Sequence, residues 1–421
     1  MSIRCVLGSL VLCGLFVQCV RADWRQFRGS KGQGHADAQN LPERWSEKEN
    51  ISWKVKVLGK GWSSPVIHSG QIWVTTAYRC GRSLRALCVD EATGDIVHNV
   101  ELFSPAKPER LHLSNSHASP TPVIEDDRVY FHFGTMGTAC VSTRTAEVLW
   151  RQEMKVDHLT GPGSSPVLFQ GRLFVQCDGL DEQYMAALDN QTGRVRWKTA
   201  RSGPSRNRIM RRGFATPLVI NSGGRTQLIS PAADHVHSYD PVSGKELWRA
   251  CYKGFSTVPR PVFGNDMVYV CTGAYKPQLM AIRVDGQDDV THSHVVWRVK
   301  RQVPLVSSPI LVGDNLYMVS DNGVATCLNA HTGKMRFQTR LGGKFSASPV
   351  FTNGRIYFAS ENGKMSVIEA ADTAHVLAVN QLDGTIMASP AVSGQALYVR
   401  TDRHLYRIEK PPASVARLEG A

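Results

Sequence analysis

A short tripeptide that ends in proline recurs along this chain, and it limits the possible folds more than any other feature. The copies are Ser63-Ser64-Pro65, Pro120-Thr121-Pro122, Ser164-Ser165-Pro166, Ala215-Thr216-Pro217, Pro259-Arg260-Pro261, Ser307-Ser308-Pro309, Ala347-Ser348-Pro349 and Ala388-Ser389-Pro390. The last prolines are separated by 57, 44, 51, 44, 48, 40 and 41 residues. Eight anchors at that spacing leave room for about four short strands per unit, which is the spacing of propeller blades.

Each unit repeats one internal order. A short strand follows the proline, then a polar turn, then a β-branched and aromatic strand such as Ile72-Trp73-Val74 or Ile356-Tyr357-Phe358. A third strand ends in Asp or Asn ahead of a Thr-Gly or Ser-Gly turn, as in Asp189 with Thr192-Gly193 and Asp240 with Ser243-Gly244. The Asx side chain bonds backbone just beyond it and glycine accepts positive φ, so the turn has a mechanism. A fourth strand carries Trp150, Trp197, Trp248, Trp297 or Phe337. Blade two has Ser142 and Ala146, and blade seven has Glu369 and Thr373, at the turn positions; those two hairpins are expected to be less regular.

The run from Ala187 to Trp197 resembles the tryptophan-docking motif of the PQQ-type β-propellers. That superfamily includes quinoprotein alcohol dehydrogenases and BamB-like outer-membrane assembly lipoproteins. The likeness extends from about Trp45 to Glu409, and the opening Trp24-Arg25-Gln26-Phe27-Arg28-Gly29 is similar to secreted bacterial PQQ-like repeat proteins. The expected fold is all-β, a single eight-bladed propeller of four-stranded antiparallel blades over 51–410. The eighth unit lacks its own fourth strand, so Ile51-Ser52-Trp53-Lys54-Val55 is expected to complete it and close the ring. Residues 23–50 form an arm pinned by Trp24, Phe27 and Trp45, and 411–421 a tail.

Arg4, an apolar run from Cys5 to Val17 and Val20-Arg21-Ala22 read as a cleaved signal peptide over 1–22, with a retained anchor as the alternative. The protein is thus expected to be exported, to the periplasm or beyond, with peripheral association with the outer membrane open. Seven cysteines remain after cleavage at irregular spacing, so no disulfide framework is indicated. Cys88, Cys140, Cys177, Cys271 and Cys327 fall at small, buried repeat positions. The net charge of +13 favours anionic partners. That charge lies in loops of an exported chain, which argues against nucleic acid. A monomer is expected.

Function in such a ring belongs to the channel mouths and long loops, because the strands are committed to packing. The candidate residues on the loops that enter the first strands are Lys60, Trp62, Asn115, His117, Arg211, Arg212, Phe214, Arg260 and Lys344. Two loops are long, Phe103 to Ser116 and Arg201 to Phe214. The second holds Arg201, Arg206, Arg208, Arg211 and Arg212, forks suited to carboxylates and phosphates. Arg260, between two prolines on an inner strand, is expected to meet an anion or carbonyls near the channel. A carbohydrate surface would rest only on Trp62 and Trp73, and Trp73 falls mid-strand, where core is expected; His235-x-His237 and His292-x-His294 each put two imidazoles on one strand face, but neither has a third ligand nearby in sequence, so no metal is expected. The resemblance to quinoproteins implies PQQ with calcium on the axis, yet none of these loop residues is a carboxylate, no two cysteines are adjacent and no CxxCH occurs. The expected function is therefore a non-catalytic, exported, BamB-like binding scaffold that needs no cofactor. It docks an envelope protein or anionic ligand through one loop face. The alternative is a PQQ-binding dehydrogenase.

Overall fold

Asp189 shows how one unit closes. Its Oδ1 accepts from the backbone N–H of Gln191 and Thr192 and from Thr192 Oγ1, and Gly193 turns with φ of 73° to return its N–H to the Asp189 carbonyl at 2.8 Å. The hairpin so fixed joins Gln183–Asp189 to Val195–Ala200, and Val167–Phe169 and Arg172–Asp178 complete a four-stranded antiparallel sheet. Gln183–Asp189 is buried along its whole length, because neighbouring sheets cover both its faces. Val195–Ala200 is the half-exposed outer edge.

A computed structural model describes residues 23–203, 205 and 207–411. The expected leader over 1–22, Arg206 and the residues from 412 lie outside the described residues. Eight such sheets form an eight-bladed propeller. Apolar layers fill the wedges between blades; Val262, Tyr269 and Ala281 of blade five, for example, pack with Leu316, Met318 and Leu328 of blade six. The ring closes as the sequence predicts: Ile51–Lys56 pairs antiparallel with His404–Ile408 as the outer strand of blade eight. One addition was not anticipated. Asp288–Asp289, from the blade-five insertion, pairs parallel with Glu246–Cys251 of blade four.

Outer-strand tryptophans tie four of the blades to the next. Trp150 donates to the Asn190 carbonyl at 3.0 Å and lies over Gly193, where a Cβ would come within 2.5 Å of the ring. Trp297 on Gly333 and Trp53 on Gly94 repeat the contact. Blade one has His98 at this position, stacked on Trp73. The blade-two hairpin receives no tryptophan and keeps the same bonds with Ala146 at φ of 58°. It is regular but strained, which corrects the expectation of irregularity there. In blade seven the turn is one residue longer, with Glu369 N–H bonded to His375 O. Blade seven also has Ala378 where a tryptophan would stand. Trp45 of the arm stacks on Tyr357 there, centroids 6.3 Å apart, and supplies the missing ring.

The arm then determines the shape of the channel. Trp24 bridges to Ile67 of blade one, and Arg25 O accepts from Ile124 N–H of blade two. The chain crosses to blades five and six, where Arg260 Nη1 donates to Phe27 O at 2.5 Å and Arg28 Nη2 to Pro309 O at 2.7 Å. It continues past blade seven, pairing Gly34 and Ala36 with Phe351. Residues 24–36 thus cover the end of the channel at which the inner strands finish.

Candidate functional site

Seven side-chain hydroxyls of the proline tripeptides form a belt around the axis. Ser64 N–H donates to Thr121 Oγ1, Thr121 N–H to Ser165 Oγ, and Ser165 N–H to Thr216 Oγ1. Beyond blade five the belt resumes from Arg260 N–H to Ser308, then Ser348, Ser389 and back to Ser64. These contacts measure 2.8–3.1 Å. The recurring Ser or Thr is therefore a bond between neighbouring blades. Only blade five breaks the pattern, because Arg260 stands in place of the hydroxyl.

Above the belt a cavity of about 450 Å³ opens towards the loops, with Phe27 of the arm in its lining. Four of the sequence-nominated residues line it: Trp62, Asn115, Arg212 and Phe214. Lys60 lies just outside, its Nζ 5.4 Å from the Trp62 ring. Lys344 is exposed two residues before Ser346 of the lining. Asn115 is fully engaged, donating to Thr160 O and Pro162 O and accepting from Ser116 and Ser119, so it staples the long blade-two loop to blade three. His117 bonds Glu109 O beneath that loop, and Arg211 Nε bonds Ser205 O; neither lines the cavity.

Arg212 is the charged group of the lining. It is 9% exposed, its plane packs 5.5 Å from the Phe255 ring centroid, and Nε donates to Ile209 O at 2.9 Å. Its two terminal nitrogens have no partner among the described residues. Burial pulls its pKa below the usual arginine value. Two carboxylates lie directly behind the lining above blades six and seven: Asp321 accepts from Leu305 N–H, and Glu361 from Ser346 Oγ.

Several sequence-based expectations need correction. The arginines of the second long loop do not act together, because Arg201 is buried in a two-bond ion pair with Asp178, backed by Tyr239 and Ser230. Arg260 does not face a ligand. Its three donor nitrogens go to Pro217 O, Phe27 O and Gln26 Oε1, so it meets carbonyls and pins the arm. Trp73, by contrast, is fully buried core, as its mid-strand place led us to expect. His237 is buried against Glu246, and among the described residues no three His, Cys, Asp or Glu side chains converge to hold a metal. Calcium needs several oxygen ligands, with carboxylates usual among them. None of the residues that line the cavity is a carboxylate. Sequence reasoning missed the role of Phe27 in the cavity, since nothing in the arm's composition states which end of the ring it covers.

Fold and site together define a closed eight-bladed propeller with a blind, hydroxyl-belted central cavity. The chain belongs to the family described as outer membrane protein assembly factor BamB, whose model matches residues 44–230 and 289–386. A BamB of Legionella pneumophila (strain Paris) is 22% identical over 205 residues, covering 46% of this chain and only half of that relative's length. Among solved structures, BamB from Moraxella catarrhalis superposes with a TM-score of 0.59 at 14% identity, over 85% of this chain and 99% of that one. The quinohemoprotein alcohol dehydrogenase from Comamonas testosteroni gives 0.66 at 10% identity, over 93% and 81%. At these identities the structural likenesses show the fold alone.

Proposed function

We propose that this protein is an exported, non-catalytic scaffold that docks an envelope protein through the loops around the open mouth. The carrying observation is the rim itself. Leu113, Tyr275 and Ile209 are 96%, 68% and 56% exposed, and each adjoins the cavity lining: Leu113 lies between His112 and Ser114, Tyr275 follows Ala274, and Ile209 accepts from Arg212. Exposed cations adjoin the same lining: Lys60 at Trp62, Arg208 next to Ile209, and Lys344 two residues before Ser346. Apolar tips and cations on one rim suit a partner with an acidic, partly apolar face. The family's description as an assembly factor of outer membrane proteins supports an envelope partner, and the leader-like segment over 1–22 supports export. Among the described residues no helix is long and apolar enough to cross a membrane.

A photo-crosslinking amino acid at position 113, 209 or 275, in the living cell, tests this reading. The expected result is one recurrent envelope adduct from these three positions and none from Met335, exposed on the outer strand of blade six. Adducts from Met335 alone, or from no position, would sink the proposal.

A further inference from the structure

The belt has a chemical consequence beyond holding blades together. Ser64, Thr121, Ser165, Thr216 and Ser389 each accept a backbone N–H from the neighbouring blade. A hydroxyl has one proton to give, and among the described residues none of these five protons has an acceptor. All five residues line the cavity, so its base presents five hydroxyl protons without an acceptor, each on an oxygen that already takes one backbone N–H. Ser348, which donates to Ser308 Oγ, is the exception. Higher in the same cavity, Arg212 offers two unpartnered guanidinium nitrogens.

The buried charge nearby is mixed: the Asp321 and Glu361 carboxylates are engaged by Leu305 and Ser346 of the lining, while three arginines have no such partner. Arg28, Arg260 and Arg400 are buried behind the lining and hold carbonyls or hydroxyls of the inner strands and arm, with no carboxylate partner among the described residues. Burial pulls each of them down to about 9. They remain cations at neutral pH, and uncompensated buried charge is costly. An anion in the cavity relieves that cost. The cavity is also blind, because the arm covers its far end. A polypeptide that enters must stop or turn back, and about 450 Å³ falls in the size class of a small-ligand site rather than of a two-stranded loop.

We infer that the channel captures the C-terminal carboxylate of a docked protein, received by Arg212 and the unsatisfied belt hydroxyls. This rests on the docking role proposed above and adds the chemistry of the docked element. Terminal carboxylates are bound elsewhere by clustered donors of this kind, and a guanidinium fork matches their geometry.

The test uses the full mature chain and a pool of N-acetylated random tetrapeptides, made once as free acids and once as C-terminal amides. Retention by the immobilised protein is measured, with succinate and benzoate run as small competitors. The free-acid pool should be retained at least about ten-fold better than the amide pool, as expected when a charge-assisted contact is lost. Arg212→Gln should abolish the difference, Arg212→Lys should restore part of it, and Lys334→Gln, exposed in the outer hairpin of blade six, should leave it unchanged. Val258→Glu, which adds a carboxylate to the lining, should also abolish it and covers the case in which Arg212→Gln does not fold. Equal retention of acids and amides, or a preference unaffected by both Arg212→Gln and Val258→Glu, would overturn the inference. Competition by succinate or benzoate as strong as that of the peptides would overturn the peptide source and leave a small-carboxylate receptor. Failure here, with crosslinks still formed at 113, 209 and 275, would leave the docking role standing without this chemistry.

Discussion

Ala146 and Gly193 occupy the same turn position in adjacent blades, both at positive φ. Gly193 is required twice over, by its backbone and by Trp150 lying on it. Ala146 meets only the backbone requirement, because no tryptophan of blade one reaches it. Ala146→Gly should therefore stabilise the protein by about 1 kcal/mol, the order of the left-handed penalty it removes. Gly193→Ala should destabilise by more, since the ring must also move. Urea midpoints measure both, and an unchanged or lower midpoint for Ala146→Gly would refute the strain argument. A second prediction concerns His132, which is buried against Thr138. Burial, with His158 close by, pulls its pKa from 6.5 down to about 3. The unfolded chain takes up this proton near pH 6.5, and the folded one only near 3. The stabilisation is intact above pH 6.5 and is lost as pH falls towards 3. His132→Gln should flatten the fall in urea midpoint between pH 7 and pH 5; an equal slope would refute the assignment. At this scale the sequence was legible wherever repeats could be aligned: Cys88, Cys140, Cys177, Cys271 and Cys327 are all free and buried.

The arm is the element that sequence reasoning placed least well. Trp24, Phe27 and Trp45 were readable as packing residues, but the end of the ring they cover was not. That depends on contacts such as Arg260 with Phe27, 233 residues apart, which no local pattern encodes. Arg260 stood out because it breaks the Ser/Thr pattern. The oddity was genuine, yet its cause was a carbonyl of the same chain. Likewise Arg201 and Arg212 look alike in sequence, and only the fold buries Asp178 against the first. Two predictions belong to this element. Trp45→Ala should cost about 3–5 kcal/mol, the range for a large buried aromatic, because Ala378 leaves nothing else on Tyr357. Arg260→Met should raise amide hydrogen exchange at residues 24–34 while the belt amides of Ser64 and Thr121 stay protected. Unchanged exchange in the arm would show that Arg260 does not hold it.

At the scale of the whole molecule the fold was almost fully legible, because eight copies average out the defects of any one. The strand order, the hairpin mechanism and the closing strand all follow from the repeat. The bridge from Asp288–Asp289 to blade four does not, since it lies in an insertion with no counterpart in the other units. Closure gives a further prediction. Deleting residues 23–56 uncovers the edge at His404–Ile408, and an unpaired edge templates association. Light scattering after size exclusion should find oligomers of the deleted form, whereas a monomer would show that blade eight tolerates an open edge.

That same closing strand sets an order of events. Ser52 bonds Glu409, 357 residues further along the chain. A ribosome makes the first of these long before the second, so the earliest-made strand has no partner until synthesis is nearly complete. Blades one to seven can assemble one after another from neighbouring segments, while the amino-terminal strand must wait unpaired. A chain cut short between residues 381 and 404 keeps the strands of seven sheets yet lacks the partner that closes the ring.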